Sequence, residues 1–252
     1  MSALPHPRLA PAGRRFLGWC VHAYTACGLL LAAGVALLLL EPDRTPDTYR
    51  VCFLLMLVGV VVDATDGTLA RAVRIKEIIP GFDGRRLDDL VDFIMYTCLP
   101  LALIDRAGLL PDGGRWTLLA ALLASAYGFC QADVKTTDGA FLGFPSYWNI
   151  VAYYLYALPL DGWPAAGLVL GLAVLTFVPS RYPYPTQPGR VNQWMLALSV
   201  PWAVLVLADV LRPWEGRPAR WQVWASFAYP VLYLVVAWVG SLRRTAAGRC
   251  RA

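Results

Sequence analysis

The sequence predicts an all-α polytopic membrane protein, with about eight transmembrane helices and a short interfacial element between the second and third. Three observations carry that prediction. Of 252 residues, 58% are apolar and only 15% are charged, against about 45–50% and a quarter in soluble domains. The mean hydropathy is +0.52, so water is not the solvent for most of this surface. Several windows approach the ~20 apolar residues that cross a bilayer, and no polar stretch is long enough to build a soluble domain. Residues 1–252 therefore read as one integral membrane domain.

Each element follows from local composition. Residues 1–15 are Pro-rich and polar, a tail ending in Arg14 and Arg15. The first span covers about 17–40; it is too long for a signal-peptide core and lacks a small-residue cleavage site, so it is expected to be retained. The prolines and acids of EPDRTPD mark a surface loop before a second span over about 49–74. Residues 75–84, IKEIIPGFDG, mix charged and apolar residues around Pro80 and suggest an element lying in the interface. Spans three and four cover about 85–104 and 115–133, and a polar loop fills 134–146. The fifth span is short, ending near 159, and Asp161-Gly162-Trp163-Pro164 turns into a sixth that ends near Val178. PSRYPYPTQPGR, with four prolines, must be a structured loop over 179–190. The last spans cover about 191–210 and 221–242, before a basic tail over 243–252.

Eight spans put both termini on one side. With that side cytoplasmic, fifteen of the 22 Lys and Arg residues lie inside, as the positive-inside rule asks. Arg212, Arg217 and Arg220 dissent in one external loop. The net charge of +5 is thus read through topology, and no nucleic-acid partner is expected. The six cysteines are scattered without CxxC pairing and read as small hydrophobes.

Chemistry concentrates between Asp63 and Asp92. Asp63, Asp66, Gly67, Ala70 and Arg71 stand at i, i+3, i+4, i+7 and i+8, one face of a helix. Gly84, Asp88 and Asp92 at i, i+4 and i+8 share a face of the next helix. Packed as a hairpin, the two would converge four carboxylates on a groove floored by small residues. Ionisable residues in a span cost about 2.5–3.5 kcal/mol each and mark function. Four neighbouring anions cannot all stay ionised without cations, so the site asks for divalent metal. The bland reading is that these acids pair with Arg71, Arg74, Arg85 and Arg86. Asp83 and Asp89 fall off the carboxylate face and are expected to be solvated or to cap a helix.

The pattern Asp63-x2-Asp66-Gly67-x2-Ala70-Arg71, then Gly84-x3-Asp88-x3-Asp92, resembles the signature of the CDP-alcohol phosphotransferases. Twelve residues separate Arg71 from Gly84, a longer insertion than the common family pattern. That insertion, VHAYTACG in the first span and FLGFPSYWNIVAYYLYAL resemble bacterial phosphatidylcholine synthases, over roughly residues 16–180. The resemblance implies metal-dependent transfer of a phosphatidyl group from CDP-diacylglycerol to choline, releasing CMP, at the cytoplasmic face of a bacterial inner membrane. It implies that Asp63, Asp66, Asp88 and Asp92 bind Mn²⁺ or Mg²⁺, two ions in all, with Asp92 also the general base. Gly67, Ala70 and Gly84 would make room for the nucleotide and Arg71 would contact it or its phosphates. Thr25 reads either as lining that site or as a packing hydroxyl. A homodimer is the common state of such proteins.

Choline's quaternary ammonium suits aromatic faces, and Tyr147, Trp148 and Asn149 open the fifth span on the active-site side. They read equally as a choline pocket or as an interfacial aromatic belt. Lys135 reads as a partner for a lipid phosphate. His22, the one intramembrane histidine, is expected to pack or hydrogen-bond rather than to bind metal. Rival readings are a sister enzyme with serine, glycerol phosphate or inositol phosphate as acceptor, and an ion transporter with a carboxylate site.

Overall fold

A computed structural model describes residues 11–131, 140–184, 189–218 and 220–249, with backbone only beyond residue 242. Lys135, residues 1–10 and part of the 179–190 loop lie outside the described residues, and Ala12 to Arg15, read from sequence as tail, belong to the first helix. The helices are α1 (Ala12–Leu40), α2 (Pro46–Ala72), α3 (Ile75–Ile78), α4 (Gly84–Asp92), α5 (Leu99–Arg106), α6 (Trp116–Cys130), α7 (Trp148–Ala157), α8 (Gly162–Phe177), α9 (Arg190–Val210) and α10 (Trp221–Arg249). Helix therefore occupies every stretch the sequence assigned to a span. Four helices, α1, α2, α9 and most of α10, are individually long and apolar enough to cross a membrane. At 1.5 Å per residue, the 10-residue α7 rises only about 15 Å. Its residues Ala152 to Ala157 are all buried, which makes it the pillar around which longer helices stand.

Local chemistry sets the boundaries. Thr45 caps α2 in a reciprocal pair with Thr48, and Pro46 opens the helix without wasting an N–H. The stretch 75–84, read from sequence as interfacial, holds the single turn α3, entered through Arg74 in the left-handed region (φ 53°). Its neighbours Ile78 and Ile79 are buried against Gly18 of α1. Asp83 caps α4 by accepting from the Arg85 and Arg86 N–H groups, each at 3.2 Å, the capping role expected of it.

Between α4 and α5 the helix continues as a π-turn over Phe93–Cys98, with the Leu99 N–H bonded to the Ile94 carbonyl. Pro100 has no N–H to give the carbonyl four residues back, so the ladder widens where a normal bond is unavailable.

One feature departs from an all-helical expectation. Ala140–Leu142 (β1) pairs antiparallel with Arg181–Pro183 (β2), Phe141 opposite Tyr182. The two loops read separately from sequence are thus tied into one ribbon. Gly143 (φ 79°) makes the tie possible, because a Cβ there would lie 2.2 Å from the Thr176 carbonyl oxygen.

Two of the three dissenting arginines of the 211–220 loop have acidic neighbours: Arg217 bonds Asp161 at 2.9 Å and Arg220 lies 3.9 Å from Asp209. Arg50 donates to the Val210 carbonyl and the Trp214 N–H to Asp47, fastening that loop to the start of α2. The cost of Arg217 and Arg220 on that side is offset locally, so these two weigh less against the charge rule. Large apolar side chains such as Leu30, Leu37, Trp194 and Val204 stay exposed on the outer helices, the surface a lipid solvent would cover.

Candidate metal and substrate site

The carboxylates meet between α2, which carries Asp63 and Asp66, and α4, which carries Asp88 and Asp92, with α1 alongside. One oxygen each from Asp63, Asp88 and Asp92 falls within 4.8 Å of the others, the only such trio among the described residues. Asp66 lines the same small cavity from α2 but stands outside the trio. It is 5% exposed and accepts a hydrogen bond from the Thr25 hydroxyl at 2.7 Å. Thr25 therefore does more than pack: it fixes a carboxylate of the site. Like charges so close repel, and hard oxygen donors in this arrangement suit a divalent cation. The cavity, about 10 Å³, has room for one water-sized particle.

Two glycines let the helices close on the acids. A Cβ on Gly28 would come 2.4 Å from Val91 Cγ1, and one on Gly59 would come 2.5 Å from the Met95 methyl. Neither glycine was singled out in the sequence, nor was Tyr96, whose hydroxyl donates to Asp63 Oδ2 at 2.8 Å. A signal for Tyr96 was present: it stands at i+4 from Asp92 and i+8 from Asp88, continuing their face.

The residues expected around the nucleotide sit at the edge. Gly67 and Ala70 are half-buried and Arg71 is exposed. Arg71 folds back to bond the Thr68 hydroxyl at 3.0 Å, and its Nη1 lies 3.3 Å from where a Gly67 Cβ would be. None of the three lines the carboxylate cavity. At Gly84 the space left by the missing Cβ is taken by His22, whose Cε1 would be 2.5 Å from such a Cβ.

The aromatic stretch is placed differently from the aspartates. Trp148 is fully buried, donating its indole N–H to the Ser125 hydroxyl at 2.7 Å and meeting Phe144 edge-on. Asn149 accepts from the Ile150 N–H at 2.9 Å. Tyr147 packs beside Tyr233 at 6.1 Å between ring centroids. Trp148 is thus packed among the helices rather than exposed as a ring of an interfacial belt would be. A buried indole needs a hydrogen-bond partner, and Ser125 supplies one.

Comparison with known proteins finds relatives along most of the chain. A phosphatidylcholine synthase of Pseudomonas aeruginosa is 40% identical over 197 residues, 77% of this chain and 79% of the relative. That of Bradyrhizobium diazoefficiens is 35% identical over 211 residues, covering 82% and 74%. One from Legionella bozemanae is 44% identical over 135 residues, covering 53% and 62%. No protein-family model matches the chain.

Proposed function

Because the chain belongs to the phosphatidylcholine synthase family, we propose that the cavity between α1, α2 and α4 moves the phosphatidyl group of CDP-diacylglycerol to choline. The observation that carries this reading is the trio of carboxylate oxygens within 4.8 Å, with Asp66 held beside it by Thr25. The donor set fits Mg²⁺ or Mn²⁺, and one or two such ions would neutralise the pyrophosphate and stabilise the departing CMP.

The chain's own residues do the rest. Asp63, Asp66, Asp88 and Asp92 hold the charge, with Tyr96 and Thr25 orienting two of them as outer-shell partners do. Asp92 takes the proton of the choline hydroxyl. The choline oxygen then bonds to the phosphorus bearing diacylglycerol, and the P–O bond to CMP breaks with its electron pair leaving on CMP. Gly67 and Ala70 leave backbone open to the nucleotide, as Gly84 does once the His22 ring moves aside, and Arg71 unfolds from Thr68 to meet a phosphate. Tyr147 remains the aromatic candidate for the choline ammonium.

In this reading the chain crosses a bacterial inner membrane eight times with both termini and the carboxylates on the cytoplasmic side, which the 15 cations counted on that side support. The two-stranded ribbon agrees, since it joins two loops assigned to that side.

The test is purified protein in detergent with CDP-diacylglycerol, Mn²⁺ and a panel of labelled acceptors. Choline enters lipid with CMP released one for one. Incorporation of serine or glycerol phosphate in its place would refute the acceptor, and no CMP release with any alcohol would refute the enzyme.

A further inference from the structure

Cations that are far apart in sequence are gathered by the fold at one end of the helices. Arg14 and Arg15 stand in the first turn of α1, Arg71 and Arg74 at the end of α2, Lys76 on α3, and Arg85 and Arg86 in the first turn of α4. The segments carrying them touch: Ile78 and Ile79 press on Gly18 of α1, Phe82 meets Trp19 at 5.3 Å between ring centroids, and Gly84 abuts His22. All seven cations are exposed.

The positive-inside rule accounts for the sign of this charge, but not for how little of it is neutralised. Among the described residues only Arg86 has a carboxylate within ion-pair distance, Asp83 at 3.3 Å. Outside the carboxylate cavity the same stretches offer just three acids, Glu77, Asp83 and Asp89. Large apolar side chains stand exposed among the cations: Phe16 and Leu17 on α1, Trp19 one turn on, and Phe82 before α4. Such a mixture suits the headgroup layer of a bilayer, where rings enter the acyl boundary and cations meet phosphates. A soluble polyanion would satisfy the cations and leave the rings in water; an anionic lipid satisfies both.

We propose that the starts of α1 and α4, the end of α2 and the turn α3 form a docking platform for anionic phospholipids of the surrounding bilayer, held through their phosphodiester headgroups. These lipids are not the transferred donor. Asp88 lies one turn after Gly84, where α4 begins, so lipid on the platform steadies the helix that carries Asp88 and Asp92. Resting on the transfer reading, this couples turnover to membrane charge, because the reaction replaces an anionic lipid by a zwitterionic one.

The binding test is native mass spectrometry of the full-length protein from micelles doped equally with phosphatidylglycerol and phosphatidylcholine. Wild-type protein should retain phosphatidylglycerol preferentially, less so as salt rises. Neutralising Arg14, Arg15, Lys76 and Arg85 together to Gln should cut that preference about tenfold or more. Arg71 is left alone because it serves the nucleotide, and Arg74 because its left-handed backbone opens α3. The charge-keeping set Arg14→Lys, Arg15→Lys, Lys76→Arg and Arg85→Lys should bind as wild type does. Equal retention of both lipids by the wild type, or equal losses in the two sets, would overturn the platform. In nanodiscs at a fixed fraction of CDP-diacylglycerol, CMP release should rise with phosphatidylglycerol in the wild type and stay flat in the Gln set. A rise of the same size in both would overturn the coupling. Preference for phosphatidylglycerol without CMP release under any condition would sink the transfer reading and leave the platform standing.

Discussion

Asp63 shows how much one hydrogen bond organises. The Tyr96 hydroxyl holds it at 2.8 Å, so Tyr96→Phe should leave the fold intact and lower metal affinity or turnover by about 10- to 100-fold, as losing an outer-shell partner does. Metal titration with activity measured alongside checks it; unchanged affinity would remove Tyr96 from the site. Gly28→Ala probes the opposite kind of contact, a backbone approach. Its Cβ would meet Val91 Cγ1 at 2.4 Å, and relieving that overlap should cost about 1–3 kcal/mol, seen as a lower Tm. The trio Asp63, Asp88 and Asp92 was legible because period 3.6 puts these acids on facing stripes, whereas Asp66, read as the fourth of the set, stands outside it. Gly28 and Gly59 were not legible, because which glycine meets which neighbour depends on how α1 packs on α4 and α2 on the π-turn that follows it. The burial of Trp148 was not legible for a related reason: aromatic composition does not say whether a ring faces a ligand, lipid or Ser125.

At the scale of elements, the π-turn and the ribbon do the positioning. The π-turn over Phe93–Cys98 follows Asp92 directly and carries Tyr96 toward Asp63. Pro100 announced a break in the ladder, but not that it would be absorbed as a wider turn. Strands β1 and β2 were hidden because three residues apiece, separated by α7 and α8, make no periodic signal. Gly143→Ala tests the ribbon. With φ 79° and a Cβ 2.2 Å from the Thr176 carbonyl, even alanine must shift backbone, so the variant should lose several degrees of Tm in detergent. An unaltered Tm would mean the ribbon does not constrain the fold.

For the whole molecule, helix positions followed from hydropathy alone, yet α6, α7 and α8 are too short to declare themselves as spans by length. Orientation is the claim most exposed to test. In a variant stripped of its six cysteines, a new cysteine at Glu215 should react with a membrane-impermeant thiol reagent on intact cells, and one at Lys76 should not. The reverse pattern would invert the topology. Above that stands the central claim, that the carboxylates convergent on one cavity hold metal and perform the transfer. Its most direct test is CMP release and choline incorporation with Mn²⁺, in wild-type protein and in Asp92→Asn, before and after chelation. The account predicts one CMP per phosphatidylcholine in the wild type, loss on chelation with recovery when metal returns, and no transfer by Asp92→Asn. Full activity after exhaustive chelation, or in Asp92→Asn, would contradict it.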